Sequence, residues 1–196
     1  MESTDVERIL DVAAQLFADN GYDGTGIREI ATLSGTPAPS IYYHFKSKQE
    51  LYREASARKY EEAYEKVEFA IDNCHEPAAK LEALVSTLFD LFIDDRVLFL
   101  LMQRDIVDSA VLRARSVMKG HYQKNLGLLE RLLTETAGHA VDQRAVFTIA
   151  SLILGYCELS TITDGVANHQ DKHWYMQQKQ HLCQQVQLLC ANIAST

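Results

Sequence analysis

Residues 25–48 read TGIREIATLSGTPAPSIYYHFKSK, and this stretch decides the fold. Thr25 is placed to cap a helix whose inner face is Ile27, Ile30, Ala31 and Leu33. Gly35 breaks that helix, and Pro37 and Pro39 open a second, very short one that ends near Phe45. Proline suits a first helical turn because the N–H groups there have no intrahelical partner. Two short helices about a glycine turn form a helix-turn-helix, whose second helix can enter a DNA major groove. Ile41 and Phe45, four residues apart, share one face of that helix and are placed for the core. Tyr42, Tyr43 and His44 then fall on other faces.

The side chains left facing outward suit nucleic acid. Tyr42, Tyr43 and His44 carry polar tips on aromatic bodies, and Lys46 and Lys48 follow at once. Such donors beside a helix N-terminus form a phosphate-binding cluster. Ala38, Pro39 and Ser40 are small enough for close backbone approach to base edges, and Ser40 can bond to several bases. Arg28 is the residue best able to grip a guanine with two hydrogen bonds.

Outward from this stretch the chain reads as successive helices. Thr4-x-x-Glu7 has the spacing of a capping box. A helical stripe of Val6, Ile9, Leu10, Ala13, Leu16 and Phe17 follows, stopped by Asn20-Gly21. Ser47-x-x-Glu50 is a second capping box that starts a long helix through about Asn73. Further helices are expected after Pro77, over 96–107, about 110–136, 143–167 and about 171–194. The expectation is an all-α chain of about nine helices and no strand. Residues 1–50 would form a three-helix helix-turn-helix domain, and 51–196 a helical ligand-binding and dimerisation domain. Only 3 prolines and 9 glycines in 196 residues agree with long helices.

Several pieces of the first 52 residues occur together in a known family. They are Ala13, Ala14, Leu16 and Phe17, then Gly21-Tyr22, then Thr25-x-x-x-Glu29-Ile30-Ala31, Gly35, and Ser40-Ile41-Tyr42-Tyr43-His44-Phe45-Lys46-x-Lys48-x-x-Leu51. The stretch from Ile9 to Tyr52 resembles the DNA-binding domain of the TetR family of one-component transcriptional repressors. The resemblance implies three helices for DNA and six for ligand and dimer. It also implies DNA contacts at Thr25, Arg28, Pro39, Ser40, Tyr42, Tyr43, His44 and Lys48. Thr25 and Lys48 would hold phosphates. Thr36-Pro37-Ala38 departs from the pattern, since family members often carry a longer polar side chain there. A ligand-responsive repressor, released from a palindromic operator by a small molecule, is the function this implies. A constitutive repressor, an activator or a redox-responsive regulator are the alternatives.

The helix at 143–167 is apolar nearly all round and needs a second covering surface. A homodimer through 143–167 and 171–194, paired as a four-helix bundle, would supply it. Phe99, Met102, Gln103, Tyr122, Phe147 and Tyr156 are the candidates to line a ligand pocket. Asp105 and Glu158 lie near this set and would suit a cationic or hydroxylated ligand, though both read as surface residues. His169 and His173, four apart, have metal-ligand spacing but sit in a polar loop and helix start, so no metal is expected. Cys183 and Cys190, seven apart, could sense oxidation across a dimer, or serve as small buried hydrophobes.

Other classes find no support. There is no G-x-S-x-G, P-loop, H-E-x-x-H or Rossmann glycine pattern, so an enzyme is not expected, nor is a cofactor. Cysteines at 74, 157, 183 and 190 form no C-x-x-C pair. The longest apolar run, Val97 to Met102, is far short of the ~20 residues that span a bilayer. The start, MESTD, lacks a basic and apolar leader, and a cytoplasmic place without membrane contact is expected. The net charge of −8 argues against indiscriminate nucleic-acid binding. Its distribution matters more. Residues 25–48 carry three cations against Glu29 alone, or +2, which leaves −10 on the other 172.

Overall fold

The computed structural model describes residues 2–107, 115–167 and 172–194, and all that follows concerns these. They form nine helices and no strand: α1 Glu2–Gly24, α2 Ile27–Ser34, α3 Ala38–His44, α4 Lys48–Asp72, α5 Pro77–Asp94, α6 Arg96–Val107, α7 Arg115–Ala137, α8 Gln143–Ala167 and α9 Lys172–Ala194. None of these is long and apolar enough to cross a membrane. The chain divides into two compact units, residues 1–62 with 95–121, and 63–94 with 122–196.

In the first unit, α1 begins two residues ahead of the expected Thr4. It also runs past the expected stop at Asn20-Gly21, but with a kink at Gly21 (φ 73°, ψ 174°), a conformation open in practice to glycine alone. Thr25 is not the cap of α2; that position falls to Gly26. The reason is that the Thr25 hydroxyl turns back onto α1, 2.8 Å from the Gly21 carbonyl and 3.0 Å from that of Leu16. The inner face of α2 is Ile27, Ile30, Ala31 and Ser34, a regular helical stripe. Leu33, expected inside, is off that stripe and exposed.

Gly35 ends α2 in the left-handed conformation, φ 64° and ψ 21°. An added Cβ would meet nothing within 4 Å, so only the backbone conformation would be strained. We expect Gly35→Val to cost about 1–2 kcal/mol in urea unfolding, and Gly35→Asn less. At the start of α4, the Glu50 N–H donates to Ser47 Oγ at 3.1 Å. The Glu50 carboxylate in turn accepts from the Lys46 N–H at 2.7 Å. The expected capping box is therefore present, closed one residue further back than its usual form.

One core serves this unit. Ile9, Ala13, Phe17 and Ala18 of α1 meet Ile30, Ile41, Phe45, Leu51 and Tyr52, together with Leu101 of α6. A three-helix head of this size has little interior of its own, and α4 and α6 complete it. Polar contacts fasten α6 there too. Arg104 Nη2 donates to the Asp19 carbonyl at 3.0 Å, and Asp95, which caps α6 through the Leu98 N–H at 3.0 Å, pairs with Lys59 at 3.1 Å.

In the second unit, α5 packs on α8 and α9, and α8 packs on α9. Leu81, Leu84, Val85 and Phe89 of α5 are buried, as are Val146, Ile149, Ile153 and Cys157 of α8, and Leu182, Cys183, Val186 and Cys190 of α9. The expectation that α8 is covered on most sides is not met within this chain, because its outer side leaves Phe147, Ser151, Glu158 and Leu159 exposed. Lys179 binds both oxygens of Asp90 at 2.9 Å, joining α9 to α5.

Candidate nucleic-acid interface

The short helix α3 is anchored from below and open above. Ile41 is fully buried and Phe45 nearly so, while Tyr42 is 51% and Tyr43 82% exposed. This is the division that the four-residue spacing of the apolar pair requires. Pro37 caps the helix, and its carbonyl accepts from the N–H groups of Ser40 (2.9 Å) and Ile41 (3.2 Å). Pro39 is exposed and Ser40 half-buried, so this turn presents a smooth surface with one hydroxyl. His44 is half-buried and sits edge-on to Tyr43, ring centres 5.2 Å apart.

Arg28 on α2 and Lys46 in the α3–α4 turn are exposed. Lys48 is half-buried, its ammonium 4.5 Å above the centre of the Tyr22 ring. Tyr22 is held in turn by Phe17, stacked at 6.1 Å, and by Tyr52, edge-on at 5.5 Å. The cation thus stands on an aromatic platform rooted in the core, a modest attraction that also fixes its position. The first unit holds all nine of the expected contact residues.

Thr25 is the exception in its surroundings. It is buried, and its hydroxyl is engaged with α1 carbonyls. The resemblance implies a phosphate contact at Thr25, and the hydroxyl, engaged in this way, is not the group that the geometry offers for it. What Thr25 does is fix the turn that carries α2.

Five of the six expected pocket residues have described side chains. Phe99, Met102 and Gln103 belong to the first unit, with Phe99 buried and the other two half-buried. Phe147 and Tyr156 belong to the second. Phe147 is 53% exposed. The Tyr156 hydroxyl donates to Gln178 Oε1 at 2.8 Å. Tyr122 lies outside the described side chains, as does His169 of the possible metal pair. The second unit does contain a cavity of about 280 Å³, lined by Ala78, Leu81, Thr136, Gln187, Cys190 and Ala191, none of them foreseen.

Asp105 is a larger correction. Read as a surface residue, it is 8% exposed, and its two oxygens accept the phenol protons of Tyr52 and Tyr60. A buried carboxylate is tolerable only when hydrogen-bonded, and these two phenols on α4 meet that need. The nearby Ser56 hydroxyl is buried without a hydrogen-bond partner. An orphan of this kind costs about 1–3 kcal/mol. Nothing in the local sequence could have signalled the group, since Asp105 is 53 residues from Tyr52.

Cys157, Cys183 and Cys190 are buried thiols. Burial pushes the Cys183 thiol up to about 11 and the Cys157 thiol to about 12, and raises that of Cys190. The reactive form is the thiolate, which is therefore scarce near neutrality.

Residues 9–55 match the family model described as bacterial regulatory proteins, tetR family. Over 83 residues the chain is 37% identical to the HTH-type transcriptional regulator LmrA of Bacillus subtilis, a match covering 42% of this chain and 44% of that protein. Over 168 residues it is 27% identical to the fatty acid metabolism regulator protein of the same organism, covering 83% of this chain and 84% of the other. The crystal structure of the transcriptional regulator FadR from Bacillus subtilis, in complex with stearoyl-CoA, superposes with a TM-score of 0.73. That superposition covers 92% of this chain and 96% of the other at 22% identity, a likeness of fold. Residues 9–55, which contain α2 and α3, thus carry the segment that the tetR family of bacterial regulatory proteins shares.

Proposed function

We propose that this protein is a transcriptional repressor that binds a palindromic DNA operator as a homodimer and is released by a small-molecule effector, an acyl thioester of coenzyme A. Residues 1–50 read the DNA, and 51–196 hold the effector and form the dimer. The observation that carries the reading is α3 itself: buried Ile41 and Phe45 fix it, while Tyr42 and Tyr43 stand exposed, in the same unit as exposed Arg28 and Lys46 and half-buried Lys48. Tyr42, Tyr43, His44, Lys46 and Lys48 contact phosphates and sugars, which orient the head. Arg28, Pro39 and Ser40 meet base edges. Thr25 contributes through the turn that it holds.

The dimer has support in the outer sides of α8 and α9, where Phe147, Leu159, Met176 and Leu188 are each more than half exposed. Pairing these helices with their symmetry mates covers them. A two-fold dimer also presents two recognition helices about 34 Å apart, one turn of DNA. The effector class is suggested by the fatty acid metabolism regulator that this chain resembles over most of its length, together with the stearoyl-CoA bound in the FadR structure of like fold. Release requires the acyl thioester to bind the non-operator conformation more tightly than the operator-bound one. The high thiol pKa values favour this ligand reading over oxidation sensing.

Light scattering of the purified protein should give the mass of two chains at micromolar concentration. A gel shift on the DNA upstream of its gene should show sequence-preferring binding that weakens steeply with salt. Palmitoyl-CoA should dissociate that complex. Binding without sequence preference, or a stable monomer, overturns the reading.

A further inference from the structure

Arg8, in the first turns of α1, is bound to the C-terminal end of α2. Its Nε donates to the Ser34 carbonyl at 2.6 Å, across 26 residues of chain. Its Nη2 donates to Asp5 Oδ1 at 2.9 Å, one turn back on α1. The last carbonyls of a helix have no intrahelical donor and must find one elsewhere. At this end of α2 the Gly35 and Thr36 N–H groups serve Thr32 (3.3 Å) and Ala31 (3.0 Å). The carbonyl of Ser34, the last residue of α2, is served by side chains instead: Arg8, and the Thr36 hydroxyl at 3.5 Å, the outer limit of a hydrogen bond.

Only Gly35 and Thr36 stand between Ser34 and Pro37, which caps α3. A bond at Ser34 therefore bears on where α3 begins. Buried Ile41 and Phe45 hold that helix down, but apolar contact has no preferred direction. A short hydrogen bond from a charged donor has one. We propose that Arg8 is a positioning residue for DNA recognition: through the Ser34 carbonyl it holds the turn that aims α3, and it does not itself contact phosphate. This rests on the operator-binding reading and sharpens it.

The chemistry of the side chain separates these two roles. Arg8 is half exposed, and Asp5 offsets its charge, which makes it a poor phosphate ligand. The bond to Ser34 comes from Nε, the atom attached to Cδ. Glutamine carries a neutral N–H donor on that same carbon. Lysine keeps the charge but carries it one atom further out, with a carbon in the place of Nε. A phosphate contact needs the charge, which lysine keeps. A hold on the carbonyl needs the donor, which glutamine keeps.

The test is fluorescence anisotropy of the full chain on a labelled operator duplex from the DNA upstream of its gene, and on a scrambled duplex of equal length. Arg8→Gln should stay within about threefold of the wild type on the operator. Arg8→Lys and Arg8→Ala should bind it about tenfold more weakly, roughly threefold for each of two heads, the effect of one modest hydrogen bond. Arg8→Lys and the wild type should bind the scrambled duplex equally, since non-specific attraction follows charge. A merely structural defect in a protein still folded at the assay temperature, checked by circular dichroism, leaves the ratio of the two affinities unchanged. The fall of that ratio in Arg8→Lys is the mark of lost positioning. Should Arg8→Ala not fold, the contrast between Arg8→Gln and Arg8→Lys decides.

Operator binding kept by Arg8→Lys and lost by Arg8→Gln, with a lower salt slope, assigns Arg8 to phosphate and overturns the proposal. Equal operator affinities in the wild type and all the variants overturn it too, as does a loss in Arg8→Gln as large as in Arg8→Lys. A wild-type protein that does not prefer the operator overturns the repressor reading, and this inference with it, before any variant is made.

Discussion

Replacing Tyr42 and Lys48 together by alanine should lower operator affinity about 1,000-fold and leave the protein folded and dimeric. Each side chain is worth about 1 kcal/mol toward DNA, and two of them in each of two protomers give about 4 kcal/mol. Fluorescence anisotropy with a labelled operator duplex checks it. The slope of log affinity against log salt should also fall, by about 1 for each phosphate that no longer meets a cation. Stability should change little. Tyr42 is half exposed, and Lys48 gives up only its place on the Tyr22 face. That attraction is worth about 0.5–1 kcal/mol, or at most about 4 °C in a chain of this size. Retained affinity in the double variant would mean that DNA lies on another face of the first unit.

Phe17→Ala should be the most damaging single change in the first unit. Phe17 is fully buried, stacks on Tyr22 and meets Tyr52 edge-on. Removing a core phenylalanine costs about 3–5 kcal/mol. For a chain of this length the melting temperature should fall by roughly 6–20 °C, measured by circular dichroism. DNA affinity should fall with it, because the Phe17 ring is the seat of the Tyr22 platform. Phe69→Ala is the contrast. That phenylalanine is 74% exposed, and its removal should stay within about 0.5 kcal/mol of neutral. A similar drop in both variants would mean that ring burial does not decide the stability of the head.

The residues that were legible in the sequence are those governed by local rules. The spacing of Ile41 and Phe45 separates the buried from the open side of α3, and the structure keeps that division. Ser47 and Glu50 close the start of α4, and Gly35 turns the chain after α2. Each of these depends on neighbours within a few residues. Thr25 shows the limit of such rules. Its type and place suit a helix cap, yet its hydroxyl finds the Gly21 and Leu16 carbonyls of α1 instead. Leu33 is the reverse case, an apolar residue that the regular stripe of α2 leaves outside.

By itself the sequence determined that this is an all-α chain with a basic, aromatic-tipped head on an acidic body. Helical periodicity, capping and charge are properties of short windows, so those windows suffice. Only the tertiary structure decided that α6 belongs to the core of that head. Only it decided that Asp105 is buried against two phenols rather than solvated, and that Phe147 is left more than half exposed. These outcomes depend on which helices meet across 45 or more residues of chain. The burial of a charge or a ring is then set by the neighbour that arrives, which no local pattern encodes.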